Sequence, residues 1–140
     1  MLHLTAFDEQ DLSVVSAQMQ DAVLAHGNIK FDQRRKQVVL VANRFAWDAA
    51  PLKQRRRTGL RLNYVLAAKR LAPATVNKDT ILNLLALTFE KTGPAGDPSG
   101  TITLNFSGGH KISLAVECID MQLDDLGPAW GTGHEPHHEV

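Results

Sequence analysis

The stretch "PLKQRRRTGLRLNYVL" (Pro51 to Leu66) places three consecutive arginines ahead of an alternating apolar run. Guanidinium forks bind phosphate and carboxylate oxygens bidentately, so a cluster of this kind points to an anion site. Counted along an extended chain, Arg55, Arg57 and Arg61 share one side and Arg56 faces the other. A second basic run, "RRK" (Arg34 to Lys36), offers Arg34 and Arg35 as partners if the two runs meet at one end of a sheet. The segment "GHEPHHE" near the C-terminus carries His134, His137 and His138 beside two glutamates, all competent ligands for a divalent metal. Asp21, Asp48, Glu117, Asp120, Asp124 and Asp125 supply carboxylates for acid–base work, although spacing selects no pair among them. Ser16, Ser107 and Cys118 lack the setting of a nucleophile. "SGG" reads as a hairpin turn, and Cys118 falls on the inward face of a strand. No glycine pattern resembles a P-loop or a dinucleotide fingerprint.

Composition narrows the classes. The chain has 140 residues, 44% of them hydrophobic, enough for one domain with its own core and too few for two ordinary ones. Fifteen Lys and Arg balance fifteen Asp and Glu. There is no global field to attract a polyanion, so nucleic-acid binding is disfavoured and an anion site has to be local. Cys118 is the single cysteine, which excludes an intrachain disulfide and fits a reducing compartment. No basic segment followed by an apolar block opens the chain, and nowhere do 18 apolar residues run together. The expectation is a cytoplasmic protein without a membrane span.

The elements that must position these residues read mainly as strands. Asp8 caps a helix over about Glu9 to Met19, with Leu12, Val15, Met19 and Val23 at roughly helical spacing, although the β-branched "SVVSA" could also extend. "NIKF" and "VVLVANRFAW" form a hairpin across the polar run Asp32 to Lys36. From Thr58 onward the even positions Leu60, Leu62, Tyr64 and Leu66 are apolar, the pattern of a strand with one wet face, while helical spacing of Leu60, Tyr64, Ala67, Ala68 and Leu71 competes in the later half. "TILNLLALTFEK" is apolar enough to be buried and fits either a strand or a short helix, the surrounding strands favouring strand, and "TGPAGDPSG" is the clearest loop. "GTITLNFSGGHKISLAVECID" is a hairpin with Ile102, Leu104, Phe106, Ile112, Leu114, Val116 and Cys118 inward, turning where Gly108 and Gly109 can take positive φ. "IDMQLDDLG" predicts one or two helical turns stopped by Gly127. The segment 129–140 reads as an irregular tail beyond a single globular domain at 1–128, with Trp47 and Trp130 covering the core rim. The resulting class is mainly β (α+β), one domain, an antiparallel sheet or partly closed barrel of six to seven strands with one or two short helices.

Taken together, "LTAFDEQDLSVVSAQMQDAV", "VANRFAWD", "RRRTGLRLNYV", "ILNLLALTFE", "GTITLNFSGGHKISLAVECID" and "LDDLGPAW" resemble a family of small uncharacterised bacterial proteins, domain of unknown function 2948. The resemblance covers nearly the whole chain. It implies a compact domain and carries over no activity, cofactor, ligand or catalytic residue. The strand count is similar to that of pleckstrin-homology-like barrels, seven strands closed by a C-terminal helix.

The leading expectation is a binding or interaction module without catalytic activity or cofactor, offering a sheet edge or basic loops to a protein or small anionic partner. The alternatives are a small hydrolase or metal-assisted enzyme using the tail histidines with Glu117 or Asp120, and a phosphate-binding protein using the basic loops. Composition does not address oligomeric state.

Overall fold

The Asp8 carboxylate accepts a hydrogen bond from the Asp11 backbone N–H at 2.8 Å and so starts the helix α1, Glu9–Met19, at the residue that the sequence indicates. Leu12, Val15 and Met19 are buried. In the computed structural model, which describes residues 2–45, 55–71 and 76–128, everything else of regular structure is strand or short 3₁₀ turn. The strands are β1 His3–Ala6, β2 Ala22–Ala25, β3 Ile29–Asp32, β4 Gln37–Phe45, β5 Arg55–Asn63, β6 Val65–Leu71, β7 Ile81–Lys91, β8 Gly100–Phe106, β9 Lys111–Val116 and β10 Met121–Pro128.

All ten belong to one antiparallel sheet in the order β1-β10-β5-β4-β2-β7-β8-β9-β6, with β3 added to β4. The period-two pattern works as expected in the central strands. Val38, Leu40, Ala42, Leu60, Leu62, Ile102, Leu104, Phe106, Ile112, Leu114 and Val116 are buried in a single cluster that also takes in the α1 face. One cluster fed by strands at both ends of the order requires the sheet to curl around it. A backbone hydrogen bond from Val65 N–H to the Lys36 carbonyl, 2.9 Å, draws the start of β6 to the β3–β4 turn.

Three expectations change. Among the described residues ten strands replace six or seven: β1, β2 and β10 add to the expected set, and the glycine-free turn at Tyr64, φ 57°, divides β5 from β6. The turn at Tyr64 separates β5 from β6 and ends the inward series, so Tyr64 and Leu66 are exposed. The "IDMQLDDLG" segment is strand β10 and not helix, since it pairs with β5 on one side and β1 on the other. Gly127, φ 135°, follows a register shift in that ladder where the sequence suggested a helix stop. The C-terminal helix of a pleckstrin-homology-like barrel is thus not found among the described residues. Cys118 lies past the end of β9 and is half-buried rather than inward. Trp47, Trp130, Asp48 and the tail fall outside the described residues.

Candidate functional site

Strand β5 carries its arginines as the alternation requires. Thr58, Leu60 and Leu62 face the core, while Arg57 and Arg61 are exposed on the outer side. Arg55 lies against β4, its Nη1 donating to the Asn43 carbonyl at 3.2 Å and its guanidinium 5.9 Å from the Phe45 ring centroid. Arg57 and Arg61 are four residues apart, roughly 13 Å along a strand.

The register keeps the two basic runs apart. Gln37 is opposite Asn63 and Phe45 is opposite Arg55. Arg34 and Arg35 therefore sit at the Asn63 end of the β4–β5 ladder, with Arg55 and Arg57 toward the other end. The five arginines do not gather around one anion. Arg35 instead approaches the Asp32 carboxylate at 3.8 Å and helps line a polar hollow of about 370 Å³ with Lys36, Asn63, Tyr64, Glu117 and Asp120. There Lys36 Nζ meets Glu117 at 2.8 Å, and Asn63 Nδ2 donates to Asp120 at 3.0 Å. His134, His137 and His138 lie outside the described residues. Among those described, no three His, Cys, Asp or Glu side chains come together as a metal site.

The inward face of β4 holds a residue that sequence reasoning missed. Arg44 follows Val38, Leu40 and Ala42 on the buried parity and is fully buried. Its Nε and Nη2 each donate to Asp125 at 2.8 Å, and Asp125 also accepts from Thr58 Oγ1 at 2.7 Å and from the Leu2 N–H at 2.7 Å. Burial opposes ionisation of Asp125, yet these hydrogen bonds and the Arg44 charge bring its pKa down to about 2. This network is closed on itself and ties β4, β5 and β10 together.

An open site lies where the curled sheet fails to meet itself. Among the described residues β6 pairs only with β9, and β3 only with β4. Between these strands runs a cleft of about 160 Å³. Ile29 and Phe31 from β3 and Val38 from β4 form one wall, Ile112 and Leu114 from β9 the floor, and Ala68 and Arg70 from β6 the other wall. Every residue of β6 after Val65 is exposed, including Leu66 and Leu71, and Phe31 is exposed across the gap.

One end of the cleft is polar. His26, in the 3₁₀ turn between β2 and β3, lines it beside Arg70. Behind His26 stands His110, 1% exposed, with ring centroids 5.4 Å apart. His110 also packs on Phe106 at 5.3 Å. Burial first, and then the positive charge of Arg70, lowers the pKa of His26. Burial, His26 and Arg70, in that order, lower that of His110. His110 shares the even parity of Ile112 and Leu114, a signal that a polar residue turns inward here. Nothing in the sequence marks His26.

A family model described as protein of unknown function (DUF2948) matches residues 2–138. The chain belongs to that family. No curated protein and no solved structure matches it. In this DUF2948 chain the seam between β3 and β6 is the place where apolar surface, strand edge and titratable groups coincide. No helix among the described residues of the DUF2948 chain is long and apolar enough to cross a membrane.

Proposed function

We propose that this protein is a cytoplasmic binding module without catalytic activity, which takes an extended segment of a protein partner along β6 and seats one apolar side chain of it in the seam cleft. The observation that carries this reading is the apolar cleft opening directly beside a strand edge that has no partner among the described residues. An edge of this kind presents unpaired N–H and C=O groups that template another strand, and a pocket for an alternate side chain adds selectivity. About 160 Å³ is a fitting size for one branched or aromatic side chain, since an apolar cavity of roughly 150 Å³ holds benzene.

Charge names the segment further. Lys30, Lys69, Arg70 and Lys111 stand on the strands around the gap, against Asp32, which already accepts from the Arg35 N–H. An acidic extended segment is the complementary partner. Of the carboxylates that could have served an enzyme, Glu117 is engaged by Lys36, Asp120 by Asn63 and Asp125 by Arg44. The free thiol of Cys118 supports a reducing compartment.

The test is a selection of short peptides from a random library against the folded chain, followed by mapping of amide shifts. The expected outcome is acidic sequences with one large apolar residue, shifting Ile29–Asp32 and Ala67–Leu71 and losing affinity in Ala68→Arg. Shifts confined to the outer face around Arg57 and Arg61 would replace this reading with binding through the arginines of β5.

A further inference from the structure

Of the three non-glycine residues with positive φ among those described, two line the same polar hollow of about 370 Å³: Lys36 at 53° and Tyr64 at 57°. The left-handed conformation is costly for a residue with a Cβ, most of all a bulky one, and it persists only where the surroundings hold it. Here three turns hold one another. The Val65 N–H donates to the Lys36 carbonyl, the Glu117 N–H to the Tyr64 carbonyl and the Asn63 N–H to the Asp120 carbonyl, each at 2.9 Å. Gln37 Nε2 donates to Asn63 Oδ1 at 3.0 Å, and Asn63 Nδ2 donates to Asp120 Oδ1 at 3.0 Å. Glycine or asparagine would make the turn at Tyr64 with less strain. Core packing does not explain the ring either, since Tyr64 is 48% exposed and its hydroxyl has no hydrogen-bond partner among the described residues.

The hollow has two cations and two anions, and one of each is open. Lys36 and Glu117 bind each other at 2.8 Å. Arg35 has a side chain 78% exposed, and its guanidinium only approaches Asp32, at 3.8 Å, without a hydrogen bond among the described residues. Asp120 accepts from Asn63 through Oδ1, while its Oδ2 has no donor among the described residues. The four charges cancel, so the hollow has no net field for a bare ion, and a phosphate would meet Glu117 and Asp120. One open guanidinium and one open carboxylate complement a ligand that carries both signs. The hydroxyls of a neutral polyol would reach the same atoms without matching either charge. A peptide end supplies only one of the two charges. A free α-amino acid brings an ammonium and a carboxylate on one carbon, and a volume of this size falls in the range of roughly 300–1,000 Å³ found for small-molecule sites.

We propose that the hollow is a binding site for a free α-amino acid with an aromatic or branched apolar side chain. Arg35 takes the carboxylate through its guanidinium fork, Asp120 Oδ2 accepts from the ammonium, and the Tyr64 ring carries the side chain. The clamped turns keep these three groups in place before the ligand arrives, which favours affinity. The hollow shares no lining residue with the seam cleft, so amino-acid binding does not depend on peptide docking there.

L-Phenylalanine and L-leucine are titrated calorimetrically into the full chain, beside L-phenylalaninamide, which lacks the carboxylate, N-acetyl-L-phenylalanine, which lacks the ammonium, and glucose. Backbone amide shifts report where each one binds. Phenylalanine is expected to bind about tenfold tighter than either of its singly charged twins, and to shift Arg35, Lys36, Asn63, Tyr64 and Glu117. In Arg35→Gln it should bind no tighter than the amide, and in Asp120→Asn no tighter than the acetylated acid. Arg35→Gln should melt with the wild type because the side chain is exposed, and asparagine at 120 keeps an acceptor for Asn63. Binding of only one of the two amino acids supports the site and sets its side-chain preference. Twins that bind as well as phenylalanine, or affinity unchanged in Arg35→Gln, would overturn recognition of the paired charges. Shifts confined to residues outside the hollow, glucose binding there in place of the amino acids, or failure of both amino acids to bind at millimolar concentration would overturn it too.

Discussion

Arg44 on β4 and Asp125 on β10 form a two-point ion pair across the intervening strand β5, with both contacts at 2.8 Å and neither side chain exposed to solvent. Breaking such a pair strands a charge in the core. Arg44→Met should therefore destabilise the fold by about 3–5 kcal/mol, measured by denaturant unfolding. The double variant Arg44→Met/Asp125→Leu should recover most of the loss. A double variant no better than the single one would show that the network does more than neutralise its own charges.

Acid should reveal the same network. Asp125 has its folded pKa near 2 against an ordinary value of 3.8, so the unfolded chain takes up the proton first as pH falls. The stability it contributes is present above about pH 4 and is lost as pH falls toward 2, a change on the order of 2 kcal/mol. Asp125→Asn should flatten the acid limb of a stability–pH curve between those values. An unaltered limb in the variant would remove Asp125 as its source.

The two imidazoles act in the same direction at higher pH. Both have pKa values below 6.5 in the folded chain, so unfolded histidines protonate first and stability declines as pH falls through about 6.5. His110→Phe removes two ring nitrogens that have no hydrogen-bond partner among the described residues, while keeping the ring against Phe106. It should melt above the wild type at pH 5.5. A lower melting temperature at that pH would mean that the imidazole has a partner inside the fold.

Gly100 begins β8 under the ring of Phe89, where an added Cβ would overlap that ring and the Glu90 carbonyl. Gly100→Ala is expected to cost about 1–3 kcal/mol, the range for overpacking. Because backbone is involved as well as side chain, Phe89→Ala in the same chain should not restore it. Full rescue would place the whole conflict at the ring.

Arg61 is exposed on the outer face of β5. Arg61→Gln should leave the unfolding free energy within about 0.5 kcal/mol of the wild type, as expected for an exposed charge. A larger loss would assign it a structural contact.

The sequence by itself determined the elements whose periodicity is local. Asp8 and the Leu12–Val15–Met19 face specified α1. The strict alternation of β8 and β9 about Gly108 and Gly109 specified the hairpin and its buried side. Alternation also placed Arg57 and Arg61 outward together, because in an extended chain the side of a residue depends only on its count from a neighbour. Pairing between distant strands follows no such count. The break at Tyr64 left no glycine to announce it, and "IDMQLDDLG" carries spacings that a helix and a strand can both use. It became β10 because β1 and β5 satisfied its backbone on both edges. The same holds for the sites. Arg44 and His110 were legible only as polar residues on apolar parities, and which carboxylate neutralises Arg44 depended on two ladders, β4 with β5 and β5 with β10, that bring together residues 81 positions apart. The cleft depended on closure: His26 and Arg70 lie on a turn and a strand far apart in the chain, and only the failure of β6 to pair with β3 brings them to one opening.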